Sequence, residues 1–197
     1  IKVDSKNYTD NELEKITRRY TFELFSRNSL GPNTYVPSTD YGTTSREMNW
    51  IYSTFKTLSN SNIDSAASVT SKSVTQEGVN GRTEATGRGV QFALREFFRH
   101  PEDVKIAGLN GSLSNKRVII QGLGNVGYYA SKFLQQEDNC NIIGIIERDG
   151  AIYSEKGLDV NDVLNYIKEN GGVKNFPNSS FTENGQDMLE KECDILI

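Results

Sequence analysis

The segment that most narrows the possible folds is Gly122-Leu123-Gly124-Asn125-Val126-Gly127, which joins an apolar β-branched run to a helical pattern. The run before it, Arg117-Val-Ile-Ile-Gln121, has the composition of a strand covered on both faces. After it, Val126, Tyr129, Ala130, Phe133 and Leu134 recur at helical spacing, and Asn141–Glu147 (NIIGIIE) forms a second buried strand. Each glycine has its own reason. The first permits a tight turn, the second lets backbone approach a pyrophosphate, and the third lets the helix pack close to the strand. The amides of Asn125 and Val126 open the helix, where the dipole favours an anion. Glu147 ends the second strand 20 positions after Gly127 (147 − 127), where an acid can bond ribose hydroxyls. A lone GxGxxG is weak evidence, but here strand, helix, second strand and acid are all in place. The segment therefore predicts a nicotinamide-dinucleotide site made of Gly122, Gly124, Asn125, Val126, Gly127 and Glu147. A carboxylate at position 147 repels a 2′-phosphate and favours NAD over NADP. The adjacent Arg148, able to pair with that phosphate, keeps NADP open.

The rest of the chain predicts helices and loops around this unit. Thr9-Asp10-Asn11-Glu12 is a capping box, followed by Leu13, Ile16, Tyr20 and Leu24 at helical spacing. A second helix is expected over Ser45–Leu58 with Met48, Ile51, Tyr52, Phe55 and Leu58 on one face, then a short strand over residues 66–70. A glycine-containing loop covers residues 74–82. The third helix begins near Ala85, carries Val90, Leu94, Phe97 and Phe98, and ends at His100-Pro101. A last helix runs from Asp159 towards Gly171, a C-cap glycine, and residues 194–197 form a third strand. Strand, helix, strand, helix, strand implies a parallel α/β sheet.

Composition removes some classes of function. No stretch approaches the roughly 18 apolar residues of a membrane helix. The net charge is −4 with no basic stripe, which argues against nucleic acid as a partner. Cys140 and Cys193 lack metal-ligand spacing and are expected to be reduced, partly buried thiols. The acids are scattered, so no metal is expected, and His100 is expected to cap a helix or lie on the surface.

Five segments carry a resemblance to a family: NYTDNELEKITRRYTFEL (residues 7–24), VPSTDYGTTSREMNW (36–50), VTSKSVTQEGVNGRTEATGRGV (69–90), QGLGNVG and IERDGAIY. In this order they resemble the amino-acid dehydrogenases of the glutamate dehydrogenase type, over nearly the whole chain. The resemblance implies oxidative deamination of L-glutamate to 2-oxoglutarate and ammonia, with hydride passed to NAD(P), in a homo-oligomer such as the family's hexamers. It assigns Asp40 proton transfer at the amine carbon, Arg82 a hold on substrate, and Thr86 a contact to the nicotinamide amide. From the residues alone, Asp40 is a turn or cap aspartate, Arg82 a solvated loop residue and Thr86 a helix N-cap. The implied architecture is the end of an α/β substrate domain (1–74), then the first half of a Rossmann-type domain (75–197). Other members acting on leucine, valine or phenylalanine are the nearer alternative. A non-catalytic dinucleotide-binding subunit is the more distant one, and retention of Asp40, Arg82 and Thr86 argues against it.

The departures from the family pattern are local. Thr39 stands where the family has proline, and Ser71, Ser73 and Glu77 stand where it has glycine, proline and glycine. Lys72 is expected to be structural or on the surface. The family's catalytic lysine lies upstream of the stretch resembling residue 1, so a segment of a longer chain is expected, inactive and poorly folded in isolation. The compartment stays open between a bacterial cytoplasm and a mitochondrial matrix.

Overall fold

In the computed structural model, residues 2–40, 42–60 and 62–197 are described. Contacts divide the chain into two compact units, Ile1–Arg82 and Thr83–Ile197.

The first unit is helical among the described residues. Helix α1 (Asp10–Ser26) starts with the expected capping box: Thr9 Oγ1 accepts from the Glu12 amide and the Glu12 carboxylate accepts from the Thr9 amide. Helix α2 (Ser45–Leu58) has the expected bounds and a second capping box, Thr44 with Glu47. Its face of Met48, Ile51, Tyr52 and Phe55 forms the core with Leu30 and Val69, and Leu24 and Phe25 of α1 pack on it.

Residues 66–70 do not form the expected strand: Ile63–Ser68 is a 3-10 helix. Short polar side chains decide this. Asn62 accepts from the Asp64 amide, and the Ser68 hydroxyl donates to the Ser65 carbonyl, so local bonds displace an extended ladder. Lys72 is buried at 8% exposure. Its Nζ donates to the carbonyls of Ala66 (2.7 Å) and Val69 (3.0 Å) and lies over the Tyr52 ring. Burial lowers its pKa, and the two carbonyls supply the partners a buried ammonium needs.

The second unit is α/β. It contains α3 (Ala85–Phe97), α4 (Pro101–Ile106), β1 (Arg117–Gln121), α5 (Asn125–Asp138), β2 (Asn141–Glu147), β3 (Gly150–Tyr153), α6 (Val160–Asn170), β4 (Ser180–Thr182) and β5 (Ile195–Leu196). The sheet order is β4-β3-β2-β1-β5. Strands β2 and β5 flank β1 in parallel, as expected. The sheet is nevertheless mixed, because β3 and β4 are antiparallel additions that the sequence pattern did not predict. Both are short, and β3 comes after β2 with only Arg148 and Asp149 between, a spacing that makes a hairpin rather than a crossover. The core joins Val118, Ile120, Ile142 and Ile145 to Leu134, Val160 and Val163.

Helix α4 was not expected. Pro101, read as a helix stop, also opens this helix, because its missing N–H is harmless in a first turn. Helix α6 has the expected caps: Asp159 Oδ1 accepts from the amides of Asn161 and Asp162, and Gly171 takes φ 81°. Cys140 is buried and donates from Sγ to the Leu113 carbonyl, and burial pushes its thiol pKa up to about 11. Cys193 is partly buried and also a free thiol. No helix among the described residues is long and apolar enough to cross a membrane.

Candidate functional site

The glycine turn satisfies three separate steric demands. Gly122 sits at φ +85°, in the left-handed region that an L side chain adopts only at a cost, and its amide donates to the Ile146 carbonyl of β2 (2.8 Å). A Cβ on Gly127 would run into the Gly122 carbonyl oxygen, so this glycine lets α5 lie against the end of β1. Gly124 is different. Its backbone is ordinary (φ −68°, ψ −173°) and a Cβ there would meet nothing within 4 Å. The space over Gly124 is open, as a position reserved for close approach by a ligand requires. Gly124 is also the N-cap of α5 and brings no side chain to the helix start. Asn125 and Val126, both exposed, open that first turn, whose amides have no partners within the helix. The residues present therefore fit a pyrophosphate.

Glu147 lies at the end of β2, half-buried, and its Oε1 accepts from the Leu123 amide at 2.5 Å. The carboxylate is thus fastened to the middle of the glycine turn. Glu147 borders a cleft of about 540 Å³ between the turn, the β2–β3 hairpin and residues 183–186 just after β4. Arg148 lines the same cleft and is exposed. Residues 183–186 carry no motif, and no local pattern marks them as lining this cleft. They reach it because β4 adds to the sheet beside β3.

Thr86 is brought to the same end of the second unit. It is the second residue of α3 and is exposed, and the N-cap is Glu84 rather than Thr86 itself. Helices α3 and α5 run parallel. Gly87 meets Tyr129 and Ala130, Gln91 donates to the Phe133 carbonyl (3.4 Å) and to Asp138 (2.5 Å), and Arg95 pairs with Asp138 (2.8 Å). Any side chain on Gly87 would press on α5 backbone, with Ala130 N at 2.6 Å. Gln91 is fully buried. Arg88 lies 3.3 Å over the Phe133 ring and pairs with Glu137 (2.7 Å). Parallel packing sets Gly87, the neighbour of Thr86, against Tyr129 and Ala130, just past the first turn of α5.

In the first unit, Asp40 is exposed, on the loop that precedes α2. Its amide donates to Thr43 Oγ1 (2.8 Å) and its carbonyl accepts from the Thr43 amide (3.0 Å), so the backbone at Asp40 is held in a turn. Arg82, half-buried, donates to Ser38 Oγ at 3.4 Å, which places its guanidinium two residues from Asp40. Buried Pro37 accepts at its carbonyl from the Thr70 amide (3.0 Å) and anchors the same loop.

Comparison with known proteins places this geometry in a family. A family model described as Glutamate/Leucine/Phenylalanine/Valine dehydrogenase matches residues 78–197, and one described as Glu/Leu/Phe/Val dehydrogenase, dimerisation domain, matches residues 1–57. The chain is 40% identical over 197 residues to "Glutamate dehydrogenase, mitochondrial" of Dictyostelium discoideum, covering all of this chain and 39% of that protein. It is 36% identical to "Probable glutamate dehydrogenase" of Sinorhizobium fredii, covering all of this chain and 44% of that one. Among solved structures, the hetero-hexameric glutamate dehydrogenase of Thermus thermophilus superposes with a TM-score of 0.83 at 28% identity, over 98% of this chain and 42% of that one. The chain thus spans less than half the length of these relatives, yet it crosses both family regions in order, and it belongs to the glutamate/leucine/phenylalanine/valine dehydrogenase family.

Proposed function

We propose that this chain is the part of an NAD-dependent glutamate dehydrogenase that carries the dinucleotide turn and one edge of the substrate site. The reaction is oxidative deamination of L-glutamate to 2-oxoglutarate and ammonia. The observation that carries the cofactor reading is the Glu147–Leu123 bond. It fixes a carboxylate at the rim of the cleft beside the glycine turn, with Oε2 left for a ribose hydroxyl. A 2′-phosphate there would face that charge, so NAD is preferred. Relatives of this chain include proteins named NADP-specific glutamate dehydrogenase, from Halobacterium salinarum at 32% identity and Saccharolobus shibatae at 35%.

The remaining roles rest on position and chemistry. The first amides of α5, at Asn125 and Val126, take the pyrophosphate over Gly124. Thr86, at the exposed start of α3, bonds the nicotinamide amide. The bound dinucleotide supplies the hydride acceptor. Arg82 offers a guanidinium fork to a substrate carboxylate. Asp40 shuttles a proton at the amine-bearing carbon. The match to a dimerisation domain supports assembly of this chain into a homo-oligomer, and the Thermus relative, named as a hetero-hexamer, supports oligomeric assembly in general.

Asp40→Asn in the full-length protein tests the catalytic reading. Glutamate turnover should fall by roughly 10²–10³-fold, with the Kd for NAD changed less than about twofold. Unchanged turnover removes Asp40 from the mechanism.

A further inference from the structure

The β2–β3 hairpin carries two acids, and only Glu147 has a place in the reading above. The other, Asp149, makes an equally specific contact. Its Oδ2 accepts from the Val173 amide (2.9 Å) and the Lys174 amide (3.1 Å), in the segment after α6. Room for it is built in: a Cβ on Gly172 would overlap the Asp149 carboxylate. The two glycines after α6 therefore have separate reasons, Gly171 as a left-handed cap and Gly172 as the gap that admits Asp149.

This contact joins the two sides of the dinucleotide cleft. On one side, the hairpin has Glu147 paired with Gly150 and only Arg148 and Asp149 between them. A connection this short has few backbone states, so fixing Asp149 also fixes Arg148 and the end of β2. On the other side, the anchored segment passes through fully buried Val173 to β4, and residues 183–186 then line the cleft. Gly150 brings the two sides together: at φ +140°, its missing Cβ leaves room for the Thr182 carbonyl (2.5 Å) and the Phe181 ring (2.7 Å).

We infer that Asp149 is a positioning residue for the cofactor. It holds the hairpin so that Glu147 stays on the Leu123 amide and the cleft keeps its width, and through Glu147 it sets the discrimination between NAD and its 2′-phosphate. The inference rests on the dinucleotide reading of the cleft. It needs the acceptor oxygen of Asp149 rather than its charge, because both bonds end on Oδ2.

The test is a set of Kd measurements for NAD and NADP on the full-length protein and its Asp149→Ala, Asp149→Asn, Glu147→Ala and double Glu147→Ala/Asp149→Ala variants. Asp149→Ala should weaken NAD by about tenfold and NADP by less than about threefold, so the preference for NAD shrinks. Asp149→Asn keeps an acceptor and should stay within about twofold of the parent for both. The double variant should lose little beyond Glu147→Ala alone, since one residue acts through the other. If Asp149→Ala does not fold, Gly172→Ala, which displaces the same carboxylate from the other side, takes its place with the same expected change in ratio. Equal losses for NAD and NADP, or additive losses in the double variant, overturn the inference. A parent protein that binds neither dinucleotide overturns the cofactor reading itself, a result distinct from either of these.

Discussion

Two loops of this molecule need left-handed backbone, and they meet the need differently. In the second unit, the turn at residues 122–127 uses glycine at its left-handed position, Gly122. In the first unit, the loop at residues 71–78 places Ser71 (φ 57°) and Glu77 (φ 62°) in the same region, where the family pattern has glycine. The loop conformation is thus the one glycine would take, held without glycine at both positions. Glu77 returns something for the strain. Its carboxylate accepts from Lys56 Nζ (2.9 Å), which ties the loop to α2, and the Tyr52 hydroxyl and the Lys56 ammonium lower its pKa. Gly78, next to it, is retained for a different reason: a Cβ there would overlap the Lys72 carbonyl. Left-handed φ can be borne by other residues when the side chain finds a partner, whereas a position with no room for a Cβ, or reserved for a ligand, cannot be given up.

This contrast can be broken experimentally, beginning with the largest expected effect. Gly127→Ala forces a Cβ into the Gly122 carbonyl and should cost about 3 kcal/mol with loss of NAD binding. Gly78→Ala should cost about 2 kcal/mol with no direct effect on cofactor affinity. Thermal unfolding with parallel NAD titration checks both. A well-folded Gly127→Ala protein that binds NAD normally would show that close α5–β1 approach is dispensable. Ser71→Gly should do the opposite and raise stability by roughly 0.5 kcal/mol, the relief of left-handed strain less the added chain entropy. A loss of stability would mean that the weak contact of Ser71 Oγ with Ser38 Oγ (3.3 Å) matters more than the strain.

The smallest expected effect lies at β5, which charge rather than glycine geometry holds in place. Asp194 accepts from the Arg117 amide (2.7 Å) and pairs with its guanidinium (3.3 Å). Burial raises the Asp194 pKa, but these contacts outweigh it and leave the carboxyl below its usual value. A depressed carboxyl adds stability above its unfolded pKa, near 4, and loses it as pH falls further. Amide protection at β5, taken relative to the intrinsic exchange rate, should therefore fall below about pH 4, and Asp194→Asn should remove that dependence.

The sequence was most informative where the physics is local. The Thr9–Glu12 capping box, the Asp159 and Gly171 caps of α6, the bounds of α2, β1 and β2, and the steric roles of Gly122 and Gly127 all depend on residues within a few positions of one another. The glycine turn and Glu147 were legible for the same reason, since one βαβ unit contains them both. Local reading failed where neighbours along the chain compete. Residues 66–70 look like a strand by composition, but serine and asparagine side chains bond their own backbone first. It also failed at Pro101, because proline both ends one helix and opens another, and only the packing of Val104 in the next turn decides that a new helix forms there.

What only the tertiary structure decided involves partners distant in sequence. The mixed sheet depends on β4 pairing with β3 across α6. The burial of Lys72 depends on carbonyls freed by a 3-10 turn and on the Tyr52 ring. The parallel packing of α3 on α5 depends on Gly87 lacking a side chain opposite Ala130. The bonds from Asp149 to residues 173 and 174 cross 24 and 25 positions. Sequence alone determined the glycine turn and the acid at the end of β2, because chirality, sterics and hydrogen-bond caps act over a few residues. The second side of the cleft and the residues that hold it open were set by long-range packing, which no local pattern encodes.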